Sequence, residues 1–287
     1  MFNCYMHQRG IGFLFLLIFL FGCHGANKIA LSTTTKENNE PYKLVWSDEF
    51  NNDGRPDSSN WRYEKGFVRN EEDQWYQPEN AFCKNGYLVI EARREQKPDP
   101  GYVKGSSDWR KNREDIHYTS ACLITRNKHT WQYGRFVMRA KIDISGGMWP
   151  AWWMLGVKKQ WPANGEIDIM EYYRGKLLAN IACADSNHKA KWFSERTPVD
   201  ADWASKFHIW RMDWDEHAIA LFVDDSLMNK VTLDSLVNKD GSGFNPFRQP
   251  EYMLLNFAIG GQNGGDPAGT EFPKKFEVDY VRVYQNQ

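Results

Sequence analysis

From Tyr42 onward, apolar side chains recur at every second position far more often than at helical spacing. Between Tyr133 and Asp143, Phe136, Met138, Ala140 and Ile142 alternate with Arg135, Val137, Arg139 and Lys141. Phe276, Val278, Tyr280 and Val283 sit in a similar run near the C-terminus. A period of two puts one set of side chains on each face of a pleated strand, so these segments are predicted to be half-buried strands. Further strands are expected at 44–50, 87–93, 120–125, 149–155, 207–214, 219–223 and 252–259. Turn clusters such as Asn51-Asn52-Asp53-Gly54 and Asp240-Gly241-Ser242-Gly243 separate them. With no repeat, no linker and no competing heptad pattern, the run predicts an all-β sandwich using the whole folded length.

The first residues break the pattern. Arg9 precedes an apolar run from Ile11 to Phe21, too short to cross a bilayer as a helix and suited to the core of an export signal. The run ends in Leu20-Phe21-Gly22-Cys23, similar to the lipobox of a bacterial lipoprotein. Residues 1–22 are therefore expected to be a signal peptide, with Cys23 as a lipid anchor and the only link to a membrane. Residues 23–41, polar and rich in Ser, Thr and Asn, then form a flexible tether. Residues 42–287 form the folded domain of an outer-membrane or cell-surface lipoprotein, or of a secreted or periplasmic protein if Cys23 is not acylated. Cys83, Cys122 and Cys183 remain, an odd number without metal-ligand spacing, which argues against a disulfide framework or a zinc site.

Composition narrows the function. A formal net charge of −1 lacks the basic footprint that phosphate binding needs, so no nucleic-acid partner is expected. The 13 Trp, 13 Tyr and 17 Phe exceed what a core of this size uses. Most belong in the core, and the remainder suit stacking on a flat, polar, uncharged ligand such as a sugar.

The chemistry concentrates in Gly165-Glu166-Ile167-Asp168-Ile169-Met170-Glu171-Tyr172-Tyr173. In a strand, Glu166 and Asp168 share a face, and Glu171 falls one residue out of period. A β-bulge near Met170 would return Glu171 to the acidic face, and bulges often re-aim side chains beside active sites. Three like charges on one face oppose folding, so the pattern points to function more than to a solvated edge. Calcium ligation is the weaker alternative, because calcium ligands usually come from loops that wrap the ion.

Glu-Ile-Asp-Ile-Met-Glu resembles the E-x-D-x-x-E signature of glycoside hydrolase family 16, the laminarinase, lichenase, agarase and carrageenase family. The resemblance continues in chain order. Trp46-Ser47-Asp48-Glu49-Phe50, Asn70 to Tyr76, Gly134-Arg135-Phe136 and Trp149 to Leu155 all match, as do Asn256 to Gly261 and Val278 to Tyr284. It implies a β-jelly-roll of two antiparallel sheets with an open, concave cleft. It also implies a retaining endo-β-glycanase with Glu166 as nucleophile, Glu171 as general acid/base and Asp168 tuning the pair, and no cofactor for catalysis. Trp149, Trp153 and Trp131 would line the cleft, while Trp152 points the other way into the core. Asn70, Glu72 and Tyr76 would reach sugar hydroxyls, and Asn256, Gln262 and Arg174 would complete the substrate-binding set. Glu49 and Asp279 match positions near a structural calcium. His208 and His217, away from any nucleophile motif, read as structural.

Substrate is where the chain departs from the laminarinase pattern. No His occurs between Leu177 and Cys183, and Gln262-Asn263-Gly264-Gly265 follows the Gly-Gly pair where a Trp is usual. Tyr173-Arg174 adds a phenol and a cation, and an insertion from Lys97 to Arg113 with Trp109 is placed to shape one end of the cleft. The first expectation is a β-1,3- or β-1,3/1,4-glucan substrate. The second keeps the mechanism but cuts β-galactosidic links in algal galactan or mucin-type O-glycans. The third is a non-catalytic carbohydrate-binding surface lipoprotein.

Overall fold

The alternating segments are strands in the computed structural model, which describes residues 42–286. In chain order they are β1 (Tyr42–Asp48), β2 (Arg62–Tyr63), β3 (Gln74–Tyr76), β4 (Ala81–Lys84), β5 (Tyr87–Pro98) and β6 (Asp115–Ser120). Then come β7 (Cys122–Ile124), β8 (Gly134–Lys141), β9 (Met148–Gly156), β10 (Glu166–Tyr173), β11 (Lys176–Ala184) and β12 (Ala190–Pro198). The last are β13 (His208–Trp214), β14 (Ala218–Val223), β15 (Ser226–Thr232), β16 (Glu251–Ile259) and β17 (Lys274–Asn286). Two four-residue helices, α1 (Ala201–Ala204) and α2 (Gly261–Gly264), interrupt them.

The strands form a jelly-roll sandwich. A seven-stranded sheet runs β12-β11-β10-β9-β16-β7-β2. A ten-stranded sheet runs β15-β14-β13-β8-β17-β5-β6-β3, with β1 on β17 and β4 on β5. Pairing is antiparallel except for the short parallel pair β3–β6, a local departure from the expected antiparallel sheets. Strands alternate as their sequences dictate. In β8, Phe136, Met138 and Ala140 are buried against the facing sheet, and the arginines between them lie on the outer face. In β9 and β16 both faces are covered, since β9 reads buried from Met148 to Met154 and β16 along its whole length. One face of each packs on the core and the other forms the floor of a cleft.

The core contains Trp61, Trp152, Trp210 and Trp214, all less than 3% exposed, so much of the aromatic excess is structural. Trp152 is in the core as expected. His208 stacks on Trp203 at 3.7 Å and faces Asp224 through Nδ1, a structural arrangement, and His217 is exposed. Cys83, Cys122 and Cys183 are free and buried. No residue of the 97–113 insertion lines the cavity around the three acids. Arg113 packs over Phe67 and Trp109 and donates to the carbonyls of Glu71 and Glu72, so the insertion braces the 67–73 loop from behind.

Candidate active site

The register of β10 shows how three acids come to share a face. Asp168 pairs with Asn180 on β11 and Glu171 with Leu178, so three steps on β10 match two on β11. On the other side Asp168 pairs with Trp153 and Met170 with Trp152, again with one extra residue on β10. This is the predicted bulge. It sends Ile167, Ile169, Met170 and Tyr172 to the core and leaves Glu166, Asp168 and Glu171 on the cleft side.

Hydrogen bonds separate the three carboxyls. Glu171 accepts from Trp149 Nε1 at 2.8 Å and from Asn180 Nδ2 at 2.7 Å. The same Asn180 amide donates to Asp168 Oδ2 at 3.0 Å. Glu166, the most exposed of the three, accepts from the indole of Trp161. Burial pushes the Glu171 carboxyl up to about 8, and repulsion from Glu166 adds to it against the Trp149 hydrogen bond. Asp168 is held well above the usual carboxylate range by burial and then by the charges of Glu166 and Glu171. Glu166 is also raised by burial, but the Trp161 indole, a hydrogen bond from Asp168 and the charge of Arg69 all favour its ionised form.

The acids lie in a cavity of about 460 Å³. Trp149, Ala151, Trp153 and Leu155 of β9 and Asn256 of β16 supply its floor on one side of β10. Trp153 donates to Asn256 Oδ1 at 2.7 Å, and Asn256 Nδ2 in turn donates to Tyr76 Oη at 3.0 Å. Tyr76 is thus fully buried behind Asn256 and supports it without lining the cavity. Asn70 and Glu72 line the wall, where Glu72, 2% exposed, accepts from Gln74 at 2.6 Å and from Asn70 at 3.3 Å. Gln262 lines the same wall. Its backbone N–H donates to the Asn70 carbonyl at 2.9 Å, and its own carbonyl accepts from Arg174 at 3.1 Å. The Gly260-Gly261 pair explains the close approach. Both have positive φ, and a Cβ at Gly261 would lie 2.7 Å from the Asn70 carbonyl oxygen.

Besides Tyr76, which was expected to reach sugar hydroxyls and instead lies buried behind the cavity wall, two expectations are corrected. Trp131 is not on the cavity; it is 7% exposed and packs against Trp46 at 5.2 Å and Phe136 at 6.0 Å, because its backbone pairs with Glu251 at the far end of β16. Glu49 and Asp279 do not fit a calcium site. Both oxygens of Glu49 accept from Arg282 at 2.9 and 2.8 Å, and Asp279 accepts from Arg139 at 2.6 Å, so guanidinium donors take the places of a metal. Among the described residues, no group of three or more His, Cys, Asp or Glu could hold a metal ion.

Four residues of the site were not found from sequence. Asn180 had a usable signal: it is the one side chain with hydrogen-bonding capacity between Leu177 and Cys183, at cleft-face parity with Ala182. Arg69, whose guanidinium lies 5.1 Å from the Trp153 ring centroid and pairs with Glu64, comes from a loop without periodicity. Trp161 and Trp192 are exposed by 54% and 45% and line the cavity, one from a loop and one from an edge strand.

Known proteins resemble this chain along most of its length. The profile of "Glycosyl hydrolases family 16" matches residues 71–282. A Beta-glucanase of Rhodothermus marinus is 36% identical over 292 residues, spanning 94% of this chain and 93% of the relative. A solved structure from work on endo-acting O-glycanases, which prominent members of the human gut microbiota express to initiate mucin breakdown, superposes with a TM-score of 0.79. It is 35% identical, over 86% of this chain and 92% of that one. The laminarinase catalytic domain of Thermotoga maritima superposes with a TM-score of 0.72 at 32% identity, over 86% of this chain and 100% of that one. With its cleft, its bulged acidic strand and this similarity along nearly its whole folded length, the chain belongs to glycosyl hydrolase family 16 and is a glycoside hydrolase.

Proposed function

We propose that this endo-β-glycanase is a retaining enzyme in which Glu166 is the nucleophile and Glu171 the general acid/base. The supporting observation is the difference between two carboxyls on one strand face. Glu171, pushed up to about 8, carries a proton at neutral pH, whereas Glu166 receives hydrogen bonds that favour its anion. A retaining glycosidase needs this division of labour. In the first step a Glu166 oxygen bonds to the anomeric carbon, the glycosidic C–O bond breaks, and the Glu171 proton goes to the departing oxygen. In the second, water attacks the glycosyl ester, Glu171 takes its proton, and the Glu166 carboxylate leaves. Asp168, whose carboxyl is raised by burial, shares a hydrogen bond with Glu166 and restrains its carboxylate.

The first substrate reading is a β-1,3- or β-1,3/1,4-glucan, supported by similarity to the Rhodothermus marinus Beta-glucanase over most of both chains. A second reading, β-galactosidic bonds in algal galactan or mucin-type O-glycans, draws on a different observation. Ala182 stands opposite Glu166 with no bulk, and Gln262 forms part of the cavity wall. For the mucin arm, the O-glycanase structure also has the higher TM-score of the two structures compared. Sizing the products from laminarin, mixed-linkage β-glucan, agarose-type galactan and mucin O-glycans separates the readings. Oligosaccharides that vanish in Glu166→Gln support the mechanism, and unchanged turnover in that variant overturns it. The export signal and the acylation of Cys23 fall outside the described residues and belong to this proposal. Labelling with a radioactive fatty acid, lost in Cys23→Ser, tests them.

A further inference from the structure

Beyond the catalytic strand, the cleft floor continues onto β11 and the edge strand β12. The register fixes which side chains face the cleft there. Glu166 lies opposite Ala182, which lies opposite Trp192; Glu171 lies opposite Leu178, which lies opposite Arg196. The other parity of β12 includes Phe193, which packs on the core, so Trp192, Ser194 and Arg196 share the cleft side. Adjacent strands lie about 4.8 Å apart, which puts this row about 10 Å from the catalytic carboxyls, within the span of a bound oligosaccharide.

Three cations gather at this end of the cleft, next to the catalytic acids. Among the described residues, Arg174, at φ 48 in the β10–β11 turn, donates to the Gln262 carbonyl. Lys176 pairs in register with Tyr173 and neighbours Pro198 of β12, two residues beyond Arg196. Tyr173 feels both signs of charge: burial, Glu171 and Asp168 push its phenol up, and Arg196 and Arg174 are close enough to act against them. None of these three cations has a carboxylate partner among the described residues. Elsewhere on the surface arginines commonly do, as in Arg139 with Asp279, Arg282 with Glu49 and Arg135 with Asp213. A neutral glucan offers hydroxyl acceptors but no counter-charge to three cations that share the β11–β12 side of the cleft with the exposed Trp192. An oxyanion on the sugar chain supplies one, because a guanidinium binds sulfate or carboxylate through charge-assisted hydrogen bonds.

We propose that the β12 end of the cleft is a subsite for an acidic glycan, in which Trp192 stacks on a sugar while Arg174 and Arg196, with Lys176 behind them, bind a sulfate ester or carboxylate that the chain carries. The inference rests on the endo-β-glycanase reading and names the substrate class at one end of that site. The test uses the full chain with Glu166→Gln, so that ligands stay intact, and isothermal titration at low salt. The probes are N-acetyllactosamine oligosaccharides, unmodified, 6-O-sulfated or sialylated, and laminarin oligosaccharides with and without carboxymethyl groups. At least one acidic series should bind about tenfold more tightly than its neutral counterpart, and this ratio should shrink as salt is raised. In the added Arg174→Ala/Arg196→Ala double variant the ratio should fall to about one, with the neutral ligand as a control for folding. Preference for the sulfated or for the carboxylated probes identifies the source of the oxyanion. A ratio of one in the parent, or an undiminished ratio in the double variant, overturns the proposal. Products formed by the unmutated chain from neutral oligosaccharides test the catalytic reading separately.

Discussion

The side-chain amide of Asn180 donates to Glu171 Oε2 at 2.7 Å and to Asp168 Oδ2 at 3.0 Å, so one group on β11 holds two of the three acids. Its donation favours the ionised form of Glu171 and opposes the burial that raises it. In Asn180→Ala the Glu171 proton should be held more tightly. The basic limb of kcat/KM, which reports loss of the general acid's proton in the free enzyme, should then move upward from about 8. Turnover at neutral pH should fall by about tenfold because Glu171 loses a positioning contact. A pH–rate profile checks both, and a limb that stays in place or moves down would remove Asn180 from the tuning of the acid.

Glu166 and Glu171 differ in what a good leaving group can replace. Glu166→Gln removes the nucleophile, and no leaving group compensates, so turnover should drop by about four orders of magnitude on every substrate. Glu171→Gln removes the proton donor but leaves the nucleophile. An aryl glycoside with an acidic phenol leaving group needs little protonation, so its glycosylation step should survive while the natural polysaccharide loses activity. Pre-steady-state release of nitrophenol from an aryl oligosaccharide shows the difference. A burst in Glu166→Gln and none in Glu171→Gln would exchange the two roles.

The buried chain Trp153–Asn256–Tyr76 ties the cleft floor to β3. Asn256 takes the Trp153 indole proton at 2.7 Å and gives its own amide proton to Tyr76 Oη at 3.0 Å. Tyr76→Phe should leave that amide without its partner and cost about 1–3 kcal/mol in stability. Because Trp153 and Asn256 line the cavity at one remove from the acids, the effect on catalysis should appear mainly as a several-fold rise in KM, with kcat nearly constant. Thermal melts and initial rates read the two effects apart.

How much of this was legible beforehand depended on whether a residue's role could be read from local parity. The bulge was readable because Glu166, Asp168 and Glu171 share chemistry but not period, and only an extra residue reconciles the two. Trp149 and Trp153 were readable for the same reason, being four apart on one strand. Trp131 was not, since an isolated bridge sets its direction and Trp is as useful to a core as to a sugar. Glu49 and Asp279 looked like oxygen ligands because the sequence does not show that Arg282 and Arg139 lie across the sheet from them. Arg69 and Trp161 sit in loops whose course the strand pattern does not determine.

Glu251 shows a cost that the mechanism does not use. It is fully buried, by parity on the core side of β16 with Met253, and neither carboxyl oxygen has a hydrogen-bond partner among the described residues. Burial and then the charge of Glu166 hold it well above the usual carboxylate range. In the unfolded chain it titrates at about 4.3. Between that value and the raised folded value, the folded state binds more protons than the unfolded one. The contribution of Glu251 to stability is therefore intact below the unfolded pKa and is lost as pH rises toward the folded one. Glu251→Leu removes both the titration and the unpaired oxygens, and should raise stability at pH 7 by about 2 kcal/mol, or several degrees in Tm. The gap between variant and parent should widen from pH 4 to pH 7. Differential scanning calorimetry across that range checks it, and a gap that is constant or narrows with pH would show that Glu251 is solvated or paired in solution.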